Sequence, residues 1–96
     1  MAKTKRLDPI LPGEILAEEF MKPNGISQNR LSREIGVSRD RINDIVHGRS
    51  AITAAIAQRL ARYFRTTPNL WTSLQSSYEL RLARFKAIRD SRKERG

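Results

Sequence analysis

Residues 27–48 read SQNRLSREIGVSRDRINDIVHG, and this stretch decides the fold. Leu31, Ile35, Val37, Ile42 and Ile45 lie at inward-facing helical spacing on the two sides of Gly36. The pattern is two short helices joined by a tight turn. Gly36 sits where the first helix must stop, and glycine supplies a positive φ there at no steric cost. Ser27 and Ser38 each stand just before a helix, where a hydroxyl oxygen accepts from the free N–H groups of the first turn. Ser32 is small, where the two backbones are expected to cross closely. The second helix leaves Arg39, Asp40, Arg41, Asn43, Asp44 and His47 outside. These side chains hydrogen-bond, so they form a reading surface and not a core surface. That is a helix-turn-helix, with a second helix sized for a DNA major groove. An ordinary helical hairpin has the same spacing. The polar outer face on a basic chain favours the reading surface.

The 96 residues fit one domain with a modest core, which a partner or a second copy would help hold together. A charged fraction of 30% and a hydrophobic fraction of 39% are ordinary, but a net charge of +9 is not. It points to a polyanion, either nucleic acid or an anionic membrane surface. There is no cysteine, which excludes disulfides and thiolate chemistry and fits a reducing cytoplasm, the expected location. No apolar run approaches the roughly 20 residues that span a bilayer. The opening MAKTKRLDP is basic with no apolar run behind it, so it does not read as a secretory signal.

Residues 1–10 read as a flexible lead whose Lys3, Lys5 and Arg6 are solvated or reach a minor groove. Pro12 suits a first helical turn and Glu14 favours its dipole. Ile15, Leu16 and Phe20 then form an apolar stripe, with Glu18 and Glu19 on an acidic outer side that should face away from DNA. Pro23, Asn24 and Gly25 end this helix. The Asn-Gly pair can mark a β-hairpin, but its flanks have helical spacing. Gln28 opens the next helix, placed to donate to a phosphate. Gly48 closes the reading helix, and Arg49 follows in position to meet the DNA backbone.

Thr53 begins a fourth helix lined by Ile56, Leu60 and Phe64, with Arg59 and Arg62 outside and simply solvated. Thr67 and Pro68 start a fifth. Its stripe of Trp71, Leu74, Tyr78, Leu82 and Phe85 runs over four turns, and Leu80 lies off it. The first half covers the bundle. The second half either folds back onto the bundle as well or outruns it and packs against another chain. The second reading is preferred and makes Leu80, Leu82 and Phe85 the candidate dimerisation residues. Residues 11–88 form the DNA-binding and dimerisation domain, and residues 89–96 a basic flexible tail. The fold class is all-α, five helices with an extended last one.

Charge location narrows the partner. Between Ser27 and Arg65 eight arginines stand against three acids, which leaves five of the nine positive charges on the helix-turn-helix and its neighbour. A membrane-surface helix sets its arginines beside a broad apolar face. Here they interrupt polar faces, so nucleic acid is the better partner. An enzyme is not supported. With no cysteine, one histidine and no carboxylate–histidine cluster, no catalytic residues can be named. No metal or cofactor is implied, since His47 lacks a second ligand close by. In a last turn a histidine meets the final carbonyls.

The stretch from Leu11 to Arg84 resembles the HigA antitoxins, within the broad lambda-repressor-like helix-turn-helix group. The likeness rests on Pro12-Gly13-Glu14-Ile15-Leu16, Arg41-Ile42-Asn43-Asp44-Ile45-Val46, Ile52-Thr53, Arg59-Leu60-Ala61-Arg62-Tyr63-Phe64, and Trp71 with Leu74-Gln75 before Tyr78. It implies a five-helix domain that dimerises, usually through its C-terminal part. It implies an autorepressor of a toxin–antitoxin operon that neutralises a HigB toxin, a ribosome-dependent mRNA endonuclease of the RelE type. By position, Gln28, Ser38, Arg39, Asp40, Arg41 and Asn43 fall in the family's operator-facing region, and Arg49 matches its basic residue after the helix-ending glycine. Two departures stand out. His47 replaces the usual asparagine before Gly48. Arg65 stands where glycine is frequent; a left-handed cap there costs about 1 kcal/mol without glycine, so the fourth helix is expected to end differently.

A two-fold dimer would set two reading helices about 34 Å apart on a near-palindromic operator. Arg39 is the first choice for a bidentate guanine contact. Asn43 suits adenine or a contact within the protein, and Arg41 a base, a phosphate or the carboxylates of Asp40 and Asp44. Two alternatives remain: a stand-alone repressor without a toxin, and a protein-interaction module that does not read DNA.

Overall fold

The structure is a computed structural model that describes the backbone of residues 10–95 and the side chains of residues 10–90. Five helices follow one another, and among the described residues there is no strand. The first, α1, runs over Pro12–Ile15 and continues without a break as a π-helix over Leu16–Met21; α2 is Gln28–Ile35, α3 Arg39–Val46, α4 Ala54–Phe64 and α5 Pro68–Arg95. The expected lead at residues 1–9, with Lys3, Lys5 and Arg6, lies outside the described residues, as does Gly96.

The caps form where their sequence signals stand. Ser27, Ser38 and Thr53 accept from the backbone N–H three residues on, those of Arg30, Arg41 and Ile56. Thr67 does the same for Leu70 at the start of α5. Each satisfies a donor that the helix ladder leaves open. Gly36 ends α2 at φ 73°, in the left-handed region. Helix α4 departs from expectation. It ends on Arg65 at φ 59°, ψ 46°, in the left-handed cap that its side chain disfavours, and the Thr66 N–H closes on the Ala61 carbonyl at 2.9 Å.

The π segment has a packing cause. An i→i+5 ladder sets Leu16 and Met21 one wide turn apart on the same side, and both are buried. Regular α geometry would rotate one of them out of the core. Phe20 swings onto Trp71 and Phe64, with ring centroids at 4.8 and 5.3 Å. Trp71 is fully buried, and its indole N–H is satisfied by the Thr66 hydroxyl at 2.8 Å. Leu31, Ile35, Ile42 and Ile45 join this core from α2 and α3, and Val37 is half-buried against it. Gly13 is buried because α1 begins directly on the backbone of α3. A Cβ there would lie 1.8 Å from the Ile45 carbonyl oxygen.

Helix α5 begins in the core and leaves it. Trp71 is buried and Leu74, Tyr78 and Leu82 half-buried, whereas Leu80, Phe85 and Ile88 are 63%, 45% and 53% exposed. The helix continues to Arg95, so residues 89–95, expected as a flexible tail, extend it. At 1.5 Å per residue it is roughly 42 Å long, which accounts for the longest dimension of the molecule, 50 Å against 30 and 24 Å.

Candidate nucleic-acid interface

The reading surface is the outer side of α3 and the loop that follows it. Ile42 and Ile45 anchor the inner side in the core. Their burial forces the residues between and beside them outward. Arg39, Asp40 and Arg41 are exposed, and Asn43 and Asp44 half-buried. The turn that presents this helix is held from within. The Ser32 hydroxyl donates to the Val37 carbonyl at 2.6 Å. The small residue expected for a close backbone crossing therefore also ties α2 to the turn that leads into α3.

The expected contact residues differ in how free they are. Among the described residues the Arg39 side chain makes no hydrogen bond or ion pair, and it is exposed, so its five guanidinium donors are unengaged. Gln28, half-buried at the start of α2, likewise has an unpaired side-chain amide, as has Asn43. The Asp40 carboxylate lies free in the first turn of α3, where the helix dipole favours it. Ser38 is engaged, since its oxygen accepts from the Arg41 N–H at 3.2 Å, and only its O–H remains to be given to a phosphate.

Arg41 pairs with neither Asp40 nor Asp44. Its Nη1 donates to the Ser50 hydroxyl at 3.2 Å, bridging the first turn of α3 to the loop beyond it. Arg49 is not free either: its Nε lies 3.0 Å from Asp44 Oδ1, and its backbone N–H donates to the Asp44 carbonyl at 2.7 Å. Asp44 thus folds the loop back on α3 through both its carboxylate and its carbonyl, a role the sequence reading did not assign. His47 ends α3 with Nδ1 2.8 Å from the Asn43 carbonyl, the last-turn contact expected of it. Substituting histidine for asparagine before Gly48 therefore leaves the helix end closed.

Two further side chains lie where periodicity did not predict them. Arg59, expected to be solvated, donates through Nη1 to the carbonyl of Ile35 at 2.7 Å. Tyr63 hydrogen-bonds through its hydroxyl to Glu34 on α2. That bond, helped by the charges of Arg30 and Arg33, holds the Glu34 carboxyl below the ordinary carboxylate range, and the same bond raises the Tyr63 phenol. Around α3 the surface offers guanidinium donors, amides and one open carboxylate on a rigid helix. Such a surface can bind phosphates electrostatically and base edges by hydrogen bonding.

Comparison with known proteins agrees with this geometry. The helix-turn-helix family profile matches residues 18–71. The virulence-associated protein I of Dichelobacter nodosus is 43% identical over 82 residues, which cover 85% of this chain and 76% of that protein. An addiction module antidote protein of the HigA family from Coxiella burnetii superposes with a TM-score of 0.80 at 40% identity, covering 92% of this chain and 96% of its own. The Pseudomonas aeruginosa antitoxin HigA, solved with the higBA promoter, does so with a TM-score of 0.76 at 42% identity, covering 91% and 92%. By these matches and by its capped, polar-faced α3, the chain belongs to the helix-turn-helix family, among its HigA antitoxins.

Proposed function

We propose that this chain is a DNA-binding antitoxin that represses its own toxin–antitoxin operon and neutralises a HigB-type endonuclease encoded beside it. The observation that carries the DNA-binding half is the outer side of α3, with Arg39 exposed and unpartnered on a helix whose other side is locked into the core. Arg39 reads a guanine, and Asn43 hydrogen-bonds a base edge. Arg41, Gln28 and the Ser38 hydroxyl hold the backbone, with Arg49 joining them when phosphates compete for its guanidinium. Asp40 selects against a misplaced register by repelling phosphate. Two copies joined through Leu80, Leu82 and Phe85 place the reading helices on a two-fold operator. The DNA-reading and dimerising unit spans residues 11–88, and the last turns of α5 continue it to Arg95. The Pseudomonas HigA solved with its promoter supports the DNA half, and the family supports the toxin half. Among the described residues no helix is long and apolar enough to cross a membrane, and the protein works in the cytoplasm on the nucleoid.

The test joins both halves. The chain is titrated onto its own upstream region and onto scrambled DNA at two salt concentrations, and is co-expressed with the product of the neighbouring gene. Preference for the upstream region, a steep salt dependence and rescue of growth from the neighbour's toxicity are the expected results. DNA binding without rescue or co-purification leaves a stand-alone repressor. Rescue without DNA binding leaves a protein-interaction module.

A further inference from the structure

We propose that Arg59 is a positioning residue for DNA reading: from α4 it holds the turn that aims α3. Ile35 is the last residue of α2, and its carbonyl is one of the four that a helix ladder leaves open at its C-terminal end. Arg59 Nη1 donates to that carbonyl at 2.7 Å across 24 residues of sequence, a charge-assisted bond. The same nitrogen lies 3.0 Å from the point where a Cβ on Gly36 would sit, so the guanidinium covers the turn itself. One helical turn along α4, Tyr63 grips Glu34. Residues 59 and 63 share one side of α4, and they hold two adjacent residues at the end of α2.

Helix α4 is a firm support for this grip. Leu60 is fully buried, and the Phe64 ring packs tilted against Trp71 of α5, with centroids 6.3 Å apart. The turn is thereby fastened twice, to α2 by Ser32 and to α4 by Arg59. Arg59 then acts on specificity through Arg39 and Asn43, without touching a base. A looser turn lets α3 tilt in the groove. That disturbs base-edge contacts, which demand fixed geometry, more than phosphate attraction, which does not.

The inference rests on the DNA-reading function proposed above. Its test compares wild type, Arg59→Met and Arg59→Lys on the upstream duplex and on a scrambled duplex at two salt concentrations. Amide hydrogen exchange is followed in the free chains. Methionine keeps an apolar stem and removes the donors; lysine keeps a charged donor. Arg59→Met is expected to bind the upstream duplex about tenfold more weakly, the effect of one lost hydrogen bond to a charged donor. Its affinity for scrambled DNA and its salt slope are expected to be unchanged. The Gly36 and Val37 amides, both bonded to the Ser32 carbonyl, are expected to exchange faster, and Arg59→Lys to restore most of the binding. Equal loss on both duplexes with a shallower salt slope makes Arg59 a phosphate contact and overturns the proposal. Unchanged binding by Arg59→Met, or a loss of helicity throughout the chain, overturns it as well. If wild type itself shows no preference for the upstream duplex, the DNA-reading function fails instead. The exchange rates at Gly36 and Val37 then still decide whether Arg59 holds the turn.

Discussion

Arg49 lies across the end of the reading helix with its Nε 3.0 Å from the Asp44 carboxylate, while its backbone N–H closes on the Asp44 carbonyl at 2.7 Å. Arg49, proposed above to join the DNA-backbone contacts, is therefore held by an acid five residues back. Both side chains are about half exposed, so the pair is weak and can yield to a phosphate. Asp44→Asn keeps the carbonyl bond, removes a negative charge from the interface and frees the guanidinium. The expected result is tighter binding to operator and scrambled DNA alike. The slope of log affinity against log salt should be steeper by about 0.9, the value of one further phosphate contact. An unchanged slope would mean that Arg49 does not reach the backbone even when released.

Arg39 is expected to act differently, because it is exposed and unpartnered at the start of α3. Arg39→Ala should cost about 1–3 kcal/mol on the operator and relax the preference at one base position. Binding selection from a randomised operator measures both. Equal weakening on every sequence would demote Arg39 to a phosphate contact.

The parts of this molecule legible in its sequence are those whose causes are local. The Ser27 and Ser38 caps and the left-handed Gly36 each follow from a residue's own neighbours, and Leu31, Ile35, Ile42 and Ile45 follow from period alone. What escaped reading depends on how helices lie against one another. Arg59 meets Ile35, Tyr63 meets Glu34 and Gly13 meets Ile45 only after α1, α2 and α4 have docked. The π segment belongs to the same class. Its i→i+5 ladder is selected by which side chains the core accepts, and periodicity measured at 3.6 residues does not show that choice.

Arg65 is the one local departure, and it can be relieved. It is the only non-glycine residue at positive φ among the described residues, and it is exposed, so its side chain holds nothing in the core. Arg65→Gly removes the left-handed strain. The gain is expected to be about 1 kcal/mol, or a rise of roughly 4–8 °C in thermal midpoint for a domain of this size. Circular dichroism melts read it directly. A fall in midpoint would show that glycine's extra freedom in the unfolded chain outweighs the strain.

The Glu34–Tyr63 bond predicts a pH signature. Because the Tyr63 hydroxyl and the arginines hold the Glu34 carboxyl below its ordinary 4.5, the stability it contributes is present above that value and lost as pH falls through the lowered one. The Tyr63 phenol is raised, so its contribution is present below its ordinary 10.0 and lost as pH climbs through the raised value. Tyr63→Phe keeps the ring against Phe64, at a centroid distance of 4.9 Å, and deletes the bond. Its melting midpoint should fall less on acidification than that of wild type, and its alkaline loss should also shrink. Parallel curves for the two proteins would rule out the bond as a source of pH dependence.

The far half of α5 carries the dimer in this reading. Leu80, Phe85 and Ile88 stand exposed on a helix that has left the core, whereas Leu82 is half-buried beside it. Exposed apolar side chains of this size on so small a protein call for a partner, and a second copy also supplies the spacing that a two-fold operator needs. Leu80→Glu and Phe85→Glu change residues outside the core, so each variant should keep its helicity while moving from dimer to monomer in light scattering. Operator affinity should fall with it, because each half then binds alone and the gain from linking two sites is lost. A variant that stays dimeric at micromolar concentration would remove its residue from the interface. If both stay dimeric, the two subunits must meet through a different surface.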